Sequence, residues 1–429
     1  MIKLNFIPVK MRLPLKFGAE TIYSIQIAHV EFEAYGKVGL GETPLSVGWA
    51  WPSSLSFAFR EKTMCDFCRF LADNWETPQL DPMVANYSFL TGKLPELHQK
   101  FNLENQVDMP QLAALICASA FDIAIHDAFG LANNIPTYET YNKKYMSKDL
   151  SWFFGDEKFA NQYPEDYFVK DVPDTLPVWH LVGGKDLLRE SEKTGSEVDD
   201  NYPVTLEKWI ERDGLKCLKI KLTGCDSNWD YERLVAVGKI ALQYNCIALS
   251  PDFNCMVKDT NYVNIILDKL CDEYPEIYKI LLYVEQPFPY DLEANKIDVH
   301  DCSKRKPLFM DESAHDWKLV KLGRSLGWTG VALKVCKTQT GALLSACWAK
   351  ANNMQLMVQD LTNPMLAMIP HVQLSAHVGT IMGVECNAPQ FYPEASLEYE
   401  KIYSGLYERR GGVVKLNMLK NHGIGYFRG

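Results

Sequence analysis

The sequence predicts an α/β chain. A (β/α)₈-type barrel over residues 176–389 follows an N-terminal α+β domain over residues 1–136. Three observations predict it. Eight short β-rich runs follow one another from Pro177: PVWHLVGG, CLKIKL, CIALSPDF, ILLYVEQP, PLFMDE, GVALKV, QLMVQD and IMGVEC. Helical segments lie between several of them, with apolar residues on one face, as at Leu234, Val237, Ala241 and Tyr244, and at Val263, Ile266, Leu267 and Leu270. Most runs end in a charged or polar residue, each about one βα unit after the last. Strand and amphipathic helix in alternation give a parallel sheet, and eight units close it into a barrel.

The elements before the barrel read differently. TIYSIQIAHVEFEAYG is rich in β-branched and aromatic residues, and GKVGLGETP follows as turn and strand. From Ser53 to about Leu131 the pattern is helical, and MPQLAALICASAFDIAIHDAFG has its apolar residues at helical spacing. Residues 137–175 are polar, aromatic and without a period, and read as an insertion containing Trp152-Phe153-Phe154, placed over the barrel mouth or at a subunit contact. Residues 190–201 are acidic and read as a loop.

Composition narrows the function. The 429 residues carry a formal net charge of −10, which opposes sequence-independent binding to nucleic acid. No run approaches the roughly 20 apolar residues that span a bilayer. Charges and prolines interrupt MIKLNFIPVKMRLPLKF before an apolar signal core forms. The expectation is a cytoplasmic protein with no membrane or nucleic-acid partner. Its twelve cysteines are then reduced and mostly packed as small hydrophobes. Cys65-Asp-Phe-Cys68 sits in a helical pattern with no second pair, which favours packing over zinc or redox chemistry. Asn86-Tyr87-Ser88 fits a glycosylation sequon for which such a chain has no use.

The polar strand ends carry the chemistry. They are Lys219 and Lys221, Asp252, Glu285, Asp311, Lys334, Asp360 and Glu385, and from Lys219 onward they lie 33, 33, 26, 23, 26 and 25 residues apart. In a barrel all of them gather at the C-terminal mouth, where barrel enzymes keep their active sites. One such residue alone is an ordinary solvated strand end; the ordered set is not. Lys219 and Lys221 are two apart and face one side of a strand. Their mutual repulsion is expected to lower the pKa of one toward the range of a useful base. Asp252, Glu285 and Asp311 offer hard oxygen ligands with no recurrent Cys or His beside them, which selects Mg²⁺ or Mn²⁺ over zinc. Lys334 lies on a strand beyond the carboxylates and faces Lys221 across a bound substrate. His315, His371 and His377 are not singled out, the last two falling on a barrel helix.

Lys219-Ile-Lys221, Asp252-Phe-Asn254, Glu285-Gln-Pro287, Asp311-Glu312-Ser313 and Lys334 resemble the K-x-K, D-x-N, E-Q-P, D-E-S and K series of the enolase superfamily, in particular its muconate lactonizing enzyme (muconate cycloisomerase) subgroup. Gly39-Leu-Gly41-Glu42 resembles the G-x-G-E of that family's capping domain, and Asp122-Ile-Ala-Ile-His-Asp127 the helix before its barrel. The resemblance covers most of the chain outside 137–175. It implies a capping domain completed by residues 390–429. It also implies Mg²⁺ held by Asp252, Glu285 and Asp311, an acid/base pair of Lys221 and Lys334, and Lys219 as a cation near a substrate carboxylate. Asn254 and Glu312 would support the metal ligands from behind. Specificity would come from two capping-domain loops, about Leu15–Ser24 and Thr43–Ser53. In the second, Trp49 and Trp51 would close over an apolar substrate or simply pack the loop.

Two departures qualify the resemblance. Family members that epimerise dipeptides carry D-x-D on the eighth strand, where this chain reads Glu385-Cys386-Asn387. The seventh strand ends Gln359-Asp360 without the histidine of the mandelate racemase subgroup. Glu385 is then a candidate hydrogen-bonding partner for a substrate oxygen. The implied activity is abstraction of the proton α to a small-molecule carboxylate, by a racemase, epimerase or cycloisomerase. A dehydratase or other lyase using the same enolate is the alternative, and a non-catalytic binding protein a third reading. Barrels of this kind commonly associate, so a homo-oligomer is an open expectation.

Overall fold

The computed structural model of the chain describes residues 1–17 and 20–428. Part of the Leu15–Ser24 loop therefore lies outside the described residues. The chain opens with an antiparallel sheet of β1 (Ile2–Phe17), β2 (Glu20–Ala34) and β3 (Lys37–Pro44) in that order. The helix Phe57–Asn74 follows, started by Ser56, whose hydroxyl accepts from the Phe59 N–H. Cys65 and Cys68 lie inside this helix and are buried, as packing predicts.

The helix Gln111–Asn133 is the spine of the N-terminal domain. By length and composition it is apolar enough to cross a membrane, against the expectation that no such run exists, but 94% of that apolar window is buried inside the protein. It is a core helix, and β3 lies directly on it. A Cβ at Gly39 would stand 1.8 Å from the Ala124 carbonyl oxygen, and one at Gly41 1.9 Å from that of Ala120. Only glycine permits this approach, which explains the G-x-G spacing. The acids of the same helix act as staples. Asp122 accepts from the Thr340 hydroxyl at 2.6 Å and from the Asn86 amide at 2.8 Å. Asn86 is thereby buried and is no surface glycan acceptor. Asp127 accepts the N–H groups of Leu40 and Ile424 at 2.8 and 2.9 Å and pairs with Arg428. The last residues of the chain thus return to the first sheet and its helix.

Residues 137–175 lie along the outer helices of the barrel. Tyr138 stacks on His377 at 3.8 Å, Phe154 meets Trp317 edge-on at 5.0 Å, and the Lys350 ammonium donates to the Tyr167 carbonyl at 2.5 Å. Phe153 and Phe154 are buried in the main core, and Trp152 is exposed.

All eight expected barrel strands are present: β4 (Thr175–Val182), β5 (Cys217–Lys221), β6 (Ala248–Asp252), β7 (Val284–Glu285), β8 (Leu308–Met310), β9 (Gly330–Leu333), β10 (Gln355–Val358) and β11 (Val384–Glu385). β4 to β10 lie side by side in sequence order and β11 pairs with β4, every pair parallel. The Ile381 N–H donates to the Leu356 carbonyl at 2.9 Å across the seam between β10 and β11. Trp179, Cys217, Ala248, Tyr283, Phe309 and Met357 form an apolar floor inside the barrel. Strand alternation turns the residues two positions further on to the same interior, and all but Leu181 are polar: Lys219, Ser250, Glu285, Asp311 and Gln359.

Candidate active site

The register of the strands brings the charged ends level. Lys221 lies opposite Asp252, and Asp252 opposite Glu285. Lys219 is the hub. Its ammonium lies 2.5 Å from Glu285 Oε1, 3.2 Å from Glu385 Oε2, 3.3 Å from Asp252 Oδ2 and 3.4 Å from Gln359 Oε1. Lys221 pairs with Asp252 from the rim. Across the barrel, Lys334 lies 3.2 Å from Asp311 Oδ2. The structure thus brings together Lys219, Lys221, Asp252, Glu285, Asp311, Lys334 and Glu385, all expected from the sequence. Asp360 stands beside them: its carbonyl accepts from Lys334 at 3.2 Å, and its carboxylate holds the Asn387 N–H at 2.9 Å.

Backbone turns at the strand ends aim these groups. Asn254, Cys255 and Gln286 sit at φ of 46°, 66° and 30°, in the left-handed region that non-glycine residues rarely adopt. The Asn254 N–H donates to Asp252 Oδ1 at 2.9 Å. Gln286 joins two strand ends: its Oε1 accepts from the Asp311 N–H at 2.7 Å and the Ser313 hydroxyl at 2.8 Å. Glu312 turns the other way and accepts from the Trp49 indole at 3.1 Å and the Asn254 amide at 3.4 Å, while its Oε2 is buried with no hydrogen-bond partner among the described residues. Trp49, on the short helix Val47–Ala50, also has the ammonium groups of Lys334 and Lys337 at 5.3 and 5.4 Å from its ring. Trp51 is not brought to this site; it is buried in the core of the N-terminal domain, and its carbonyl accepts from Arg60 at 2.5 Å.

Three residues of the cluster were missed from the sequence. Lys337 is buried, donates to the carbonyls of Asp311 and Ala314 at 2.5 and 3.2 Å, and lies 3.3 Å from Asp311 Oδ1. A second lysine three positions after Lys334 was its visible signal. Gln359 bonds Glu285, and the Tyr283 hydroxyl at 3.1 Å; alternation from Met357 would have turned it inward. Asn387 donates to Glu385 Oε1 at 2.6 Å, so both oxygens of Glu385 are held by the protein itself. Cys255 also lies here, a single cysteine beside the carboxylates. Burial, with Glu312 and Asp252 adding to it, holds its thiol well above the ordinary range, which keeps it protonated.

At Lys219 the electrostatics run against the expectation of a pKa lowered by the neighbouring ammonium. Burial alone would lower Lys219, but Glu285, Glu385 and Asp252 outweigh it and hold the ammonium well above its ordinary value. Lys334 is raised for the same reason, chiefly by Asp311 against burial. Lys219 has three carboxylates within 3.3 Å of its ammonium. Burial and the charge of Asp252 push Glu285 well up, while Asp252 is held down against burial by Lys221 and Lys219.

Charge and donor chemistry test the implied metal. Among the described residues no three His, Cys, Asp or Glu side chains close around one point as a metal cage; Asp252, Glu285 and Asp311 are each turned to an ammonium group. The strand ends nonetheless collect six carboxylates (Asp252, Glu285, Asp311, Glu312, Asp360, Glu385), all buried, against the four lysines 219, 221, 334 and 337. The formal excess of two negative charges, the hard oxygen set on adjacent strands and the unpartnered Glu312 oxygen fit one small dication.

No family model matches the chain. An aromatic dipeptide epimerase from Herpetosiphon aurantiacus is 23% identical over 253 residues, 58% of this chain and 66% of that protein, so the match spans just under two thirds of its length. A mandelate racemase/muconate lactonizing protein from the same organism has a solved structure that matches with a TM-score of 0.65 at 18% identity, covering 100% of this chain and 98% of that one. A dipeptide epimerase from Enterococcus faecalis V583, solved with Mg and the dipeptide L-Leu-L-Tyr, matches with a TM-score of 0.64 at 16% identity, covering 99% of this chain and 98% of that one. Enolase-superfamily and muconate lactonizing structures recur among the neighbours, and the chain shares the barrel-and-cap fold of the enolase superfamily.

Proposed function

We propose that the protein is a metal-dependent enzyme that removes the proton α to a substrate carboxylate through a stabilised enolate, acting as a racemase or epimerase or as a cycloisomerase. One observation carries this reading. Lys221 ends β5 and Lys334 follows β9, four places apart in a ring of eight strands, so the two amines approach a central substrate from opposite sides. One lysine removes a proton from one face, and the other returns a proton on the opposite face. Lys219 lies deeper, clamped by Glu285 and Glu385, and places a fixed positive charge beneath the substrate carboxylate. Trp49, over Lys334, borders the substrate space, and Glu385 lines its far side.

Asp252, Glu285 and Asp311 would hold Mg²⁺, with Mn²⁺ also suited. Bound there, the ion supplies Lewis-acid stabilisation of the charge that builds on the carboxylate. Asn254 and Glu312 orient these ligands from behind. The dipeptides of the relatives and neighbours make α-amino-acid-derived carboxylates the first substrates to try.

The test is stereochemical. Single enantiomers of dipeptides and N-acyl amino acids are incubated with protein and Mg²⁺, and the product is read by chiral chromatography. The reading expects inversion that fails in both Lys221→Ala and Lys334→Ala. An unsaturated product that needs only one of the two lysines would replace it with elimination.

A further inference from the structure

Away from the charged cluster, two side chains of the N-terminal sheet bond the barrel: Glu42, which accepts from the Leu366 N–H at 3.0 Å, and Arg12. β1 and β2 pair in register from Ile2 opposite Phe32 to Lys10 opposite Ser24, and resume at Leu15 opposite Ile22. Residues 11–14 therefore bulge against Tyr23 alone. A bulge interrupts the in–out alternation and re-aims a side chain, and Pro14, without an N–H, cannot complete the ladder there. The side chain re-aimed is Arg12. Its Nε and Nη2 donate to Asp200 Oδ2 and Oδ1 at 2.6 and 2.8 Å, a bidentate pair. Its Nη1 donates to the Pro203 carbonyl at 2.9 Å and its Nη2 to the Tyr202 carbonyl at 3.0 Å. The guanidinium lies 5.4 Å from the Tyr202 ring, and that of Arg212 lies 5.5 Å from the same ring. The Arg12 side chain is only 5% exposed.

The surroundings say what this contact holds. Val9, Met11 and Ile25 of the sheet pack against Leu181, Met365 and Tyr392, which follow or end β4, β10 and β11. That apolar seat is on the barrel mouth, and apolar contact is non-directional. A bidentate arginine–carboxylate pair adds the direction that apolar packing lacks. The network runs on to the eighth strand. Arg212 and Arg409 both bond Asp213, at 2.9 Å each, and Arg409 donates to the Cys386 carbonyl at 2.9 Å, next to Glu385.

We propose that Arg12 is a positioning residue that, with Asp200, latches the β1–β2 sheet in its closed seat on the barrel mouth. The acidic segment 190–201, expected only to be a loop, is the barrel's half of that latch. Arg12 touches no reacting group; it acts through the wall that the sheet builds above the strand ends.

Hydrogen–deuterium exchange on the full-length chain tests this without a substrate, so it stands or falls separately from the proposed reaction. Arg12→Met and Asp200→Asn remove the pair, and Arg12→Lys keeps the charge but loses the planar bidentate fork. Exchange at the β1 and β2 amides over residues 5–11 and 22–28 is expected to rise on the order of tenfold in the first two variants. Arg12→Lys is expected to fall between them and the unaltered protein, with the barrel-strand amides unchanged in all three. Unaltered exchange at the sheet overturns the latch. A rise spread equally over the barrel strands also overturns it, because that marks a loss of global stability.

Discussion

The two ends of the barrel strands are built from the same alternation and put to opposite uses. At the floor, Trp179, Cys217, Tyr283, Phe309 and Met357 meet as one apolar layer. Two residues further along, Lys219, Glu285, Asp311 and Gln359 occupy the same interior, buried just as deeply. The floor is stabilised by removing carbon from water. The mouth opposes that stabilisation, because burying charge is costly unless each group finds a partner. Here each ammonium is matched to carboxylates, and the acids remain in excess. The contrast teaches that the floor supplies the rigidity with which the mouth is held in a charged arrangement ready for a dication and an anionic substrate.

Four substitutions sharpen or break that comparison. The largest effect belongs to the mouth: Lys334→Ala should lower α-proton exchange per folded molecule on the order of 10³-fold, beyond the stability lost with its pairing to Asp311. An unchanged rate per folded molecule would make Lys334 a structural ion-pair member. The floor should behave in reverse. Met357→Ala should cost about 3 kcal/mol of unfolding free energy in urea, leaving exchange per folded molecule unchanged.

His371, on the helix Met368–Val378, backs the mouth, with its Nε2 2.7 Å from the Glu385 carbonyl oxygen. Burial lowers its pKa to about 4. The unfolded chain takes up this proton first as pH falls, so the stability tied to the neutral ring is complete above about 6.5 and is lost between 6.5 and 4. Between pH 7 and pH 5 this amounts to about 2 kcal/mol. Urea titrations at both values should show a smaller difference in His371→Gln. The smallest effect is expected from Trp49→Phe, which keeps a ring beside Lys334 but removes the indole donor to Glu312. Urea titration should show a cost of about 1–2 kcal/mol.

The frame and the first ring of the site were legible in the sequence because both follow from local periodicity. β-rich runs one βα unit apart locate the strands, and polar residues at their ends locate the mouth. What lay beyond reach depends on how loops return. Lys337 follows β9 and meets Asp311 only once the strands pack side by side, and Asn387 reaches Asp360 in the same way. Trp49 and Trp51 are two residues apart, yet the turn after the helix Val47–Ala50 sends one toward Lys334 and the other into the domain core. The rise at Lys219 lay beyond reach because spacing showed two adjacent ammonium groups and hid the carboxylates that neighbouring strands place beside it. Arg12 and Asp200 lie 188 residues apart, and no local pattern joins them.

The central claim, that opposed lysines above buried carboxylates move a proton beside a substrate carboxylate, is tested most directly by solvent-deuterium incorporation. The protein is incubated in D₂O with Mg²⁺ and a library of dipeptides, N-acyl amino acids, hydroxy acids and aryl acids, each read by proton NMR and mass spectrometry. The account predicts deuterium at the α-carbon of at least one class, lost in Lys221→Ala or Lys334→Ala and on removal of the metal. Absence of both exchange and Mg²⁺ binding, measured on the same preparation by calorimetry, would contradict it.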